Sequence, residues 1–419
     1  MSTHTTDNVV SRHPERSAKR GAEGLRAAIV CIAAAMLLAF AFALTGCGAS
    51  GSSSSGEQAK EPVAAEDAEF HAPDLGNGWE VVDSLKLEYA NQFTVDYYEG
   101  GYKLACLSDG GRYLFVPKGK EAPKDIDSDI VVLQQPLNNI YLVASDTMCL
   151  VDALDVMDAV TVSGISKENW YIPAAQKAME SGKMVYGGKY SAPDYDLLVS
   201  KKCKLAIQST MINHTPEVRD KLIELGIPVM IEQSSYETEP LGRCEWVKFY
   251  GAMFDKEELA SKLFNEQVAK AKSVEGSETN KTVAFFYINS NGAAVVRKPG
   301  DYVTKMIDLA GGDYIFTSLD DSKSGMSTVT LEMEQFYAQT KDVDVVIYNA
   351  TIDGGVKSIA DLVGKNDLLK DIKAVKEGNV WVTEQNMYQQ MMNSGDIISD
   401  FNKVFTGSSD ELTYLHKIA

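Results

Sequence analysis

Few residues of this chain carry specialised chemistry in a usable pattern. Beyond the first thirteen residues only three histidines occur, His71, His214 and His416, far apart in sequence. A Ser–His–Asp system would rest on one of these lone imidazoles, and a site for bare Zn or Mn would call for several. Six cysteines are present, with no C-x-x-C pair and no zinc-type spacing. No G-x-x-x-x-G-K-[ST] run occurs, and the one G-x-G-x-x-G spelling, Gly46 to Gly51, follows a long apolar run and precedes a Ser-rich stretch rather than opening a helix, so neither marks a phosphate site. Catalysis therefore has no constellation to rest on. Recognition has more material. Trp170, Tyr171, Tyr186, Tyr190, Tyr236, Trp246 and Tyr287 offer flat aromatic faces, and Arg243 and Arg297 offer planar, bidentate donors to oxygen anions. Each of these side chains serves core packing equally well, so they gain meaning only as a group that the fold gathers.

The elements that would gather them are legible as apolar runs alternating with amphipathic stretches. Residues 239–274 predict a helix, a break near Phe254–Asp255 and a longer helix, in which Leu259, Leu263, Phe264, Val268 and Ala271 form one apolar stripe. Asp255 suits the N-cap of the second helix, with Glu257 and Glu258 in its first turn and Gly276 where a stop would fall. A helix of about 20 residues spans about 30 Å and would act as a rigid strut. On either side the same grammar recurs. Strands at 140–144, 160–164, 184–186, 205–207 and 228–231 alternate with helices before the strut; strands at 282–288, 343–348 and 380–382 do so after it. The expected fold is α/β: two α/β lobes joined by one long inter-lobe helix, with a ligand cleft between the lobes at the carboxyl ends of the strands. An extra N-terminal β-meander is expected at 79–120, with Leu85-Lys86-Leu87-Glu88-Tyr89 as one of its strands. The lobes then run 121–240 and 277–419, with the helix at 241–276.

Residues 1–46 read as a targeting segment. A basic leader reaches Arg26, residues 27–43 are almost continuously apolar, and Leu44-Thr45-Gly46-Cys47 follows. This ending resembles the bacterial lipobox, which implies lipid on Cys47 and an extracytoplasmic protein anchored to the cell membrane. A transmembrane anchor is the rival reading, for which the run is short. Residues 47–78 form a flexible tether of Gly, Ser, Ala and charge. Cys106, Cys149, Cys203 and Cys244 remain after processing; an oxidising compartment would permit disulfides, no pairing follows from the sequence, and buried thiols are expected. The formal net charge is −19, and the first 46 residues hold five Lys/Arg against three Asp/Glu, so the remainder carries −21. So acidic a body excludes nucleic acid as a partner, because phosphate binding needs Lys/Arg patches.

Lipobox, acidic tether, two α/β lobes and helical strut together resemble a substrate-binding lipoprotein of an ABC importer, of the helical-backbone type that captures iron siderophores, haem or cobalamin. Three stretches carry the resemblance: Pro193-Asp194-Tyr195-Asp196 running into Leu205-Ala206-Ile207; Pro240-Leu241-Gly242-Arg243-Cys244-Glu245-Trp246 through Gly251; and Val296-Arg297-Lys298-Pro299-Gly300-Asp301-Tyr302-Val303 with 306–312. The resemblance as a whole covers roughly 133–405 and leaves the meander unassigned. The resemblance implies a binding module, not an enzyme, with no cofactor of its own. Its ligand would be an iron chelate, haem or corrinoid touching the aromatic group and Arg243 or Arg297. Its partners would be an ABC permease and the permease's ATPase, and a monomer is expected. The resemblance also implies one carboxylate on the outer tip of each lobe to meet a permease arginine. Asp196 stands where Glu is usual, and Glu334 occupies the matching place in the second lobe, with Glu332 a close rival in register. The alternative of another class is a secreted α/β surface enzyme or adhesive lipoprotein.

Overall fold

Alternating apolar and polar residues do build the expected N-terminal sheet, but with one strand exchanged. In the computed structural model, which describes residues 68–419 except 77, 320–326 and 409, five strands lie side by side in chain order. They are Val81–Ser84, Phe93–Tyr98, Lys103–Leu107, Arg112–Val116 and Ile130–Gln134. The leader, Cys47 and the tether as far as residue 67 lie outside the described residues; residues 68–76, expected as part of the tether, instead run against the sheet, where Leu75 is buried. Residues 85–89 are not a strand. The backbone N–H groups of Glu88, Tyr89 and Ala90 instead donate to the buried carboxylate of Glu245, at 2.8–3.0 Å. Ile130–Gln134, which falls within the span expected for the first α/β lobe, pairs parallel with Arg112–Val116 instead. A parallel neighbour needs a long return, and residues 117–129 supply it. One face of the sheet merges with the main core through Phe93 and Phe115; the other, with Tyr98, Leu104, Cys106 and Leu114, is covered by Leu75 and Trp79.

The next sheet is wholly parallel, in the order Val229–Ile231, Leu205–Gln208, Ile140–Leu142, Val160–Ser163, Val185–Tyr186. Its inner strands are short, apolar and almost wholly buried, as crossover helices require, while the edge strand Val185–Tyr186 is partly exposed. The last sheet is mixed and has seven strands. Lys281–Ile288, Val345–Tyr348 and Val380–Thr383 run parallel at its centre, with antiparallel strands at both edges.

Between these sheets the chain forms two helices, Pro240–Phe254 and Glu257–Val274. The break falls where the sequence places it, but Asp255 is not an N-cap. It takes a left-handed conformation (φ 56°, ψ 46°) that ends the first helix. The chain then reverses. A Cβ on Gly251 would lie 2.6 Å from the Cβ of Ala260, and Lys248 sits over Phe264. These pairs, with Leu241 beside Ala271, have the constant index sum of an antiparallel hairpin. The expected single strut is therefore two helices folded on each other. The first is buried along nearly its whole length, and the final helix, Ser394–Thr406, packs on the second, where Gly395 lies against the backbone of Gln267. All described residues fall in one compact unit. None of their helices is long and apolar enough to cross a membrane.

Candidate functional site

A parallel sheet concentrates its loops at the carboxyl ends of its strands, and a crevice opens where strand order reverses. In the parallel sheet that reversal lies between Ile140–Leu142 and Leu205–Gln208. In the mixed sheet the corresponding ends are the segments after Tyr348 and Thr383. Loops of both sheets line one open recess of about 650 Å³, within the usual ligand range of about 300–1,000 Å³. Tyr171 and Gln176 come from the parallel-sheet half; Gly354, Lys357, Thr383, Glu384, Gln385 and Asn386 come from the other, joined by Thr413 and His416. The two halves are tied beside it through buried Gln389. Its Oε1 accepts from the Tyr171 N–H and its Nε2 donates to the Asn169 carbonyl, both at 2.9 Å. His416, isolated in the sequence, has its Nδ1 2.6 Å from Glu384 Oε1.

Of the nine residues expected to meet a ligand, Tyr171 lines this recess. Tyr186, the last residue of strand Val185–Tyr186, and Tyr236, in the segment after Val229–Ile231, are exposed at the same end of the parallel sheet, and Tyr190 and Tyr287 are half-buried. Trp170 and Trp246 are corrections. Both are fully buried: Trp170 Nε1 donates to Ser163 Oγ, and Trp246 packs on Phe93 and Phe249 while its Nε1 donates to Glu237. An enclosed, hydrogen-bonded indole has no face to offer a ligand. The arginines are half-buried and engaged within the protein. Arg243 donates to the carbonyls of Ser235 and Glu237, and its guanidinium lies 3.8 Å from the ring centroid of Tyr302. Arg297 faces Asp301 Oδ2 at 3.4 Å and Ser327 Oγ at 3.3 Å. Neither lines the recess. His214 is exposed, and His71 lies 2.8 Å from Asp96. The four described cysteines are buried free thiols.

Sequence reasoning missed a pair of acids behind the strand ends. Glu232 follows Val229–Ile231 directly, and Asp146 follows Ile140–Leu142 after three residues. Ser234 Oγ reaches both, at 2.8 Å from Glu232 and 3.4 Å from Asp146. Burial and the neighbouring Asp146 push the Glu232 carboxyl well above its ordinary range. Burial raises Asp146 as well, against the pull of Arg243. An acid directly after an apolar strand was the available signal. No group of three or more His, Cys, Asp or Glu among the described residues is placed to hold a metal ion.

Asp196 lies exposed in the first turn of helix Tyr195–Ser200, which Asp194 caps by accepting from the Leu197 N–H. Glu334 lies exposed in the first turn of Met333–Thr340, and Glu332, also exposed, is that helix's N-cap residue without a side-chain cap bond. Each helix starts just after a strand end, since the Asp194 N–H bonds Gly187 O and Thr328–Leu331 runs in the same direction as Lys281–Ile288. The acids thus stand at the carboxyl-end rims of their respective sheets.

A family model described as periplasmic binding protein matches residues 125–387. It leaves out the first four strands of the N-terminal sheet. Among curated proteins, the uncharacterized lipoprotein MJ0878 of Methanocaldococcus jannaschii is 27% identical over 346 residues, covering 75% of this chain and 80% of the relative. Among solved structures, the periplasmic haem-binding protein HutB of Vibrio cholerae aligns with a TM-score of 0.52 at 16% identity, over 65% of this chain and 97% of that one. The catecholate-siderophore binding protein VctP of Vibrio cholerae aligns with a TM-score of 0.51 at 14% identity, over 66% and 95%. At such identities the two structures speak for the fold alone.

Proposed function

The chain belongs to the periplasmic binding protein family, a non-enzymatic component of transport, and we propose that it captures a metal chelate, an iron siderophore, haem or a corrinoid, and hands it to an ABC permease. The observation that carries this reading is the recess of about 650 Å³ lined by strand-end loops of both α/β sheets. A ligand held there touches two halves at once, so its binding free energy can bias their separation. Tyr171 is the aromatic contact from the first half, with Tyr186, Tyr190, Tyr236 and Tyr287 as further contacts. Asp196 and Glu334 dock the permease. Cys47 carries the lipid that holds the protein outside the cytoplasmic membrane, in keeping with a relative named as a lipoprotein. The test is a thermal-shift titration with iron chelates, haem and a corrinoid. Saturable stabilisation without turnover supports the reading. Failure of every such ligand to shift Tm, or conversion of any of them, overturns it.

A further inference from the structure

Every arginine among the described residues is already engaged. Arg112 meets Asp127 and Asp129, Arg219 meets Asp220, Arg297 meets Asp301, and Arg243 holds two carbonyls and the Tyr302 ring. The charged side chains that line the recess are Lys357, which is exposed, and Glu384, which pairs with His416. The rest of its polar lining is neutral: the Tyr171 phenol, the amides of Gln176, Gln385 and Asn386, and the hydroxyls of Thr383 and Thr413. Buried Asn386 Oδ1 has no partner within the protein. Around the recess lies a chain with a formal net charge of −19, whose field repels anions.

We infer that the ligand of this recess is an uncharged metal chelate rich in amide and carbonyl groups, and that anionic chelates are disfavoured. The inference rests on the proposed capture of a chelate and adds its charge class. The physical basis is complementarity. An anionic catecholate or a pair of haem propionates would meet one ammonium, Lys357, no guanidinium, and the carboxylate of Glu384, so most of its charge would be desolvated without a partner, which is costly. Neutral amides and hydroxyls instead pair with the carbonyls and N–H groups of an uncharged ligand. A ferric trihydroxamate and an amide-bearing corrinoid share that chemistry.

The experiment titrates the full chain in detergent with four probes: an uncharged ferric trihydroxamate, cyanocobalamin, a ferric tricatecholate and haem, read by tryptophan fluorescence and calorimetry. The expected result is that one of the first two binds at least about tenfold more tightly than both anionic probes, a difference of about 1.4 kcal/mol. Which of the two binds separates hydroxamate from corrinoid. The Gln385→Ala/Asn386→Ala variant is expected to weaken that probe by about tenfold, in line with the loss of one or two hydrogen bonds. Equal or tighter binding of an anionic probe overturns the inference and leaves chelate capture standing. Absence of binding by all four overturns both.

Discussion

Glu237 shows how burial decides the behaviour of a single carboxyl. It accepts from the Asn91 and Gln92 N–H groups and from Trp246 Nε1, each at 3.0 Å. Three donors would ordinarily lower a carboxyl's pKa, yet burial outweighs them and pushes it up to about 7. The folded state therefore holds a proton between pH 4.5 and 7 that the unfolded chain releases. The stabilisation linked to this proton is complete below about pH 4.5 and is lost as pH rises through about 7. The change is on the order of 3 kcal/mol. Glu237→Gln, which cannot titrate, is expected to flatten that part of the stability profile, read as Tm against pH from 4 to 8. A variant whose Tm falls as steeply as that of the parent over this window would show that other groups set the slope. At this scale the sequence was least informative about the site. Trp170 and Trp246 have the composition of ligand contacts and the environment of core residues, because an indole satisfies either role. Arg243 and Arg297 were legible as important, and Ser235, Glu237 and Asp301 lie close to them in sequence, but the Tyr302 ring against Arg243 and Ser327 beside Arg297 are brought there by the tertiary fold.

At the scale of elements the helix hairpin organises the molecule. The carboxylate of Glu245, fully buried in helix Pro240–Phe254, gathers the N–H groups of Glu88, Tyr89 and Ala90 and the ammonium of Lys248, at 2.7–3.0 Å. At the other end of the helix Lys103 and Gln135 donate to the last carbonyls, of Ala252 and Met253. The N-terminal sheet is thus stitched along the hairpin, and its role is that of a brace for the helix between the two α/β sheets. Glu245→Ala would take from buried Lys248 its nearest carboxylate, leaving Glu88 at 4.0 Å, and would leave three N–H groups without their acceptor. A loss of about 3–5 kcal/mol is expected in urea unfolding; a loss under 1 kcal/mol would show that water replaces the carboxylate. Gly251→Ala tests the hairpin itself. The added methyl would press on Ala260, and overpacking of this kind costs about 1–3 kcal/mol. An unchanged midpoint would mean that the helices are free to separate there. The break between the helices was legible because the apolar stripe restarts after it. The reversal was not, since a left-handed Asp255 and a helix-starting Asp255 look alike in sequence. The pairing of Ile130–Gln134 was hidden for a related reason: periodicity marks a strand without saying which sheet it joins.

For the whole molecule the question is how a binding protein with two α/β halves presents itself to a permease. Asp196 and Glu334 both lie exposed in the first turn of a helix at the carboxyl-end rim of a sheet. In each half the recess opens at the same end of the strands as the acid does. A partner gripping both acids would lie across the mouth of the recess, where it could hold the halves apart and receive the ligand. Neither acid lines the recess, so docking and capture should be separable. Rim charges mainly steer association and set register, and salt screens them. The Asp196→Ala/Glu334→Ala variant is therefore expected to bind its chelate with unchanged affinity while uptake by cells carrying it is lost. Each single variant should show an intermediate defect that narrows relative to the parent as ionic strength rises. Weaker chelate binding by the double variant would assign these acids to the ligand, and normal uptake would remove them from the docking surface. Uptake that survives Glu334→Ala but not Glu332→Ala would place the second contact at the N-cap residue, two positions earlier on the same helix.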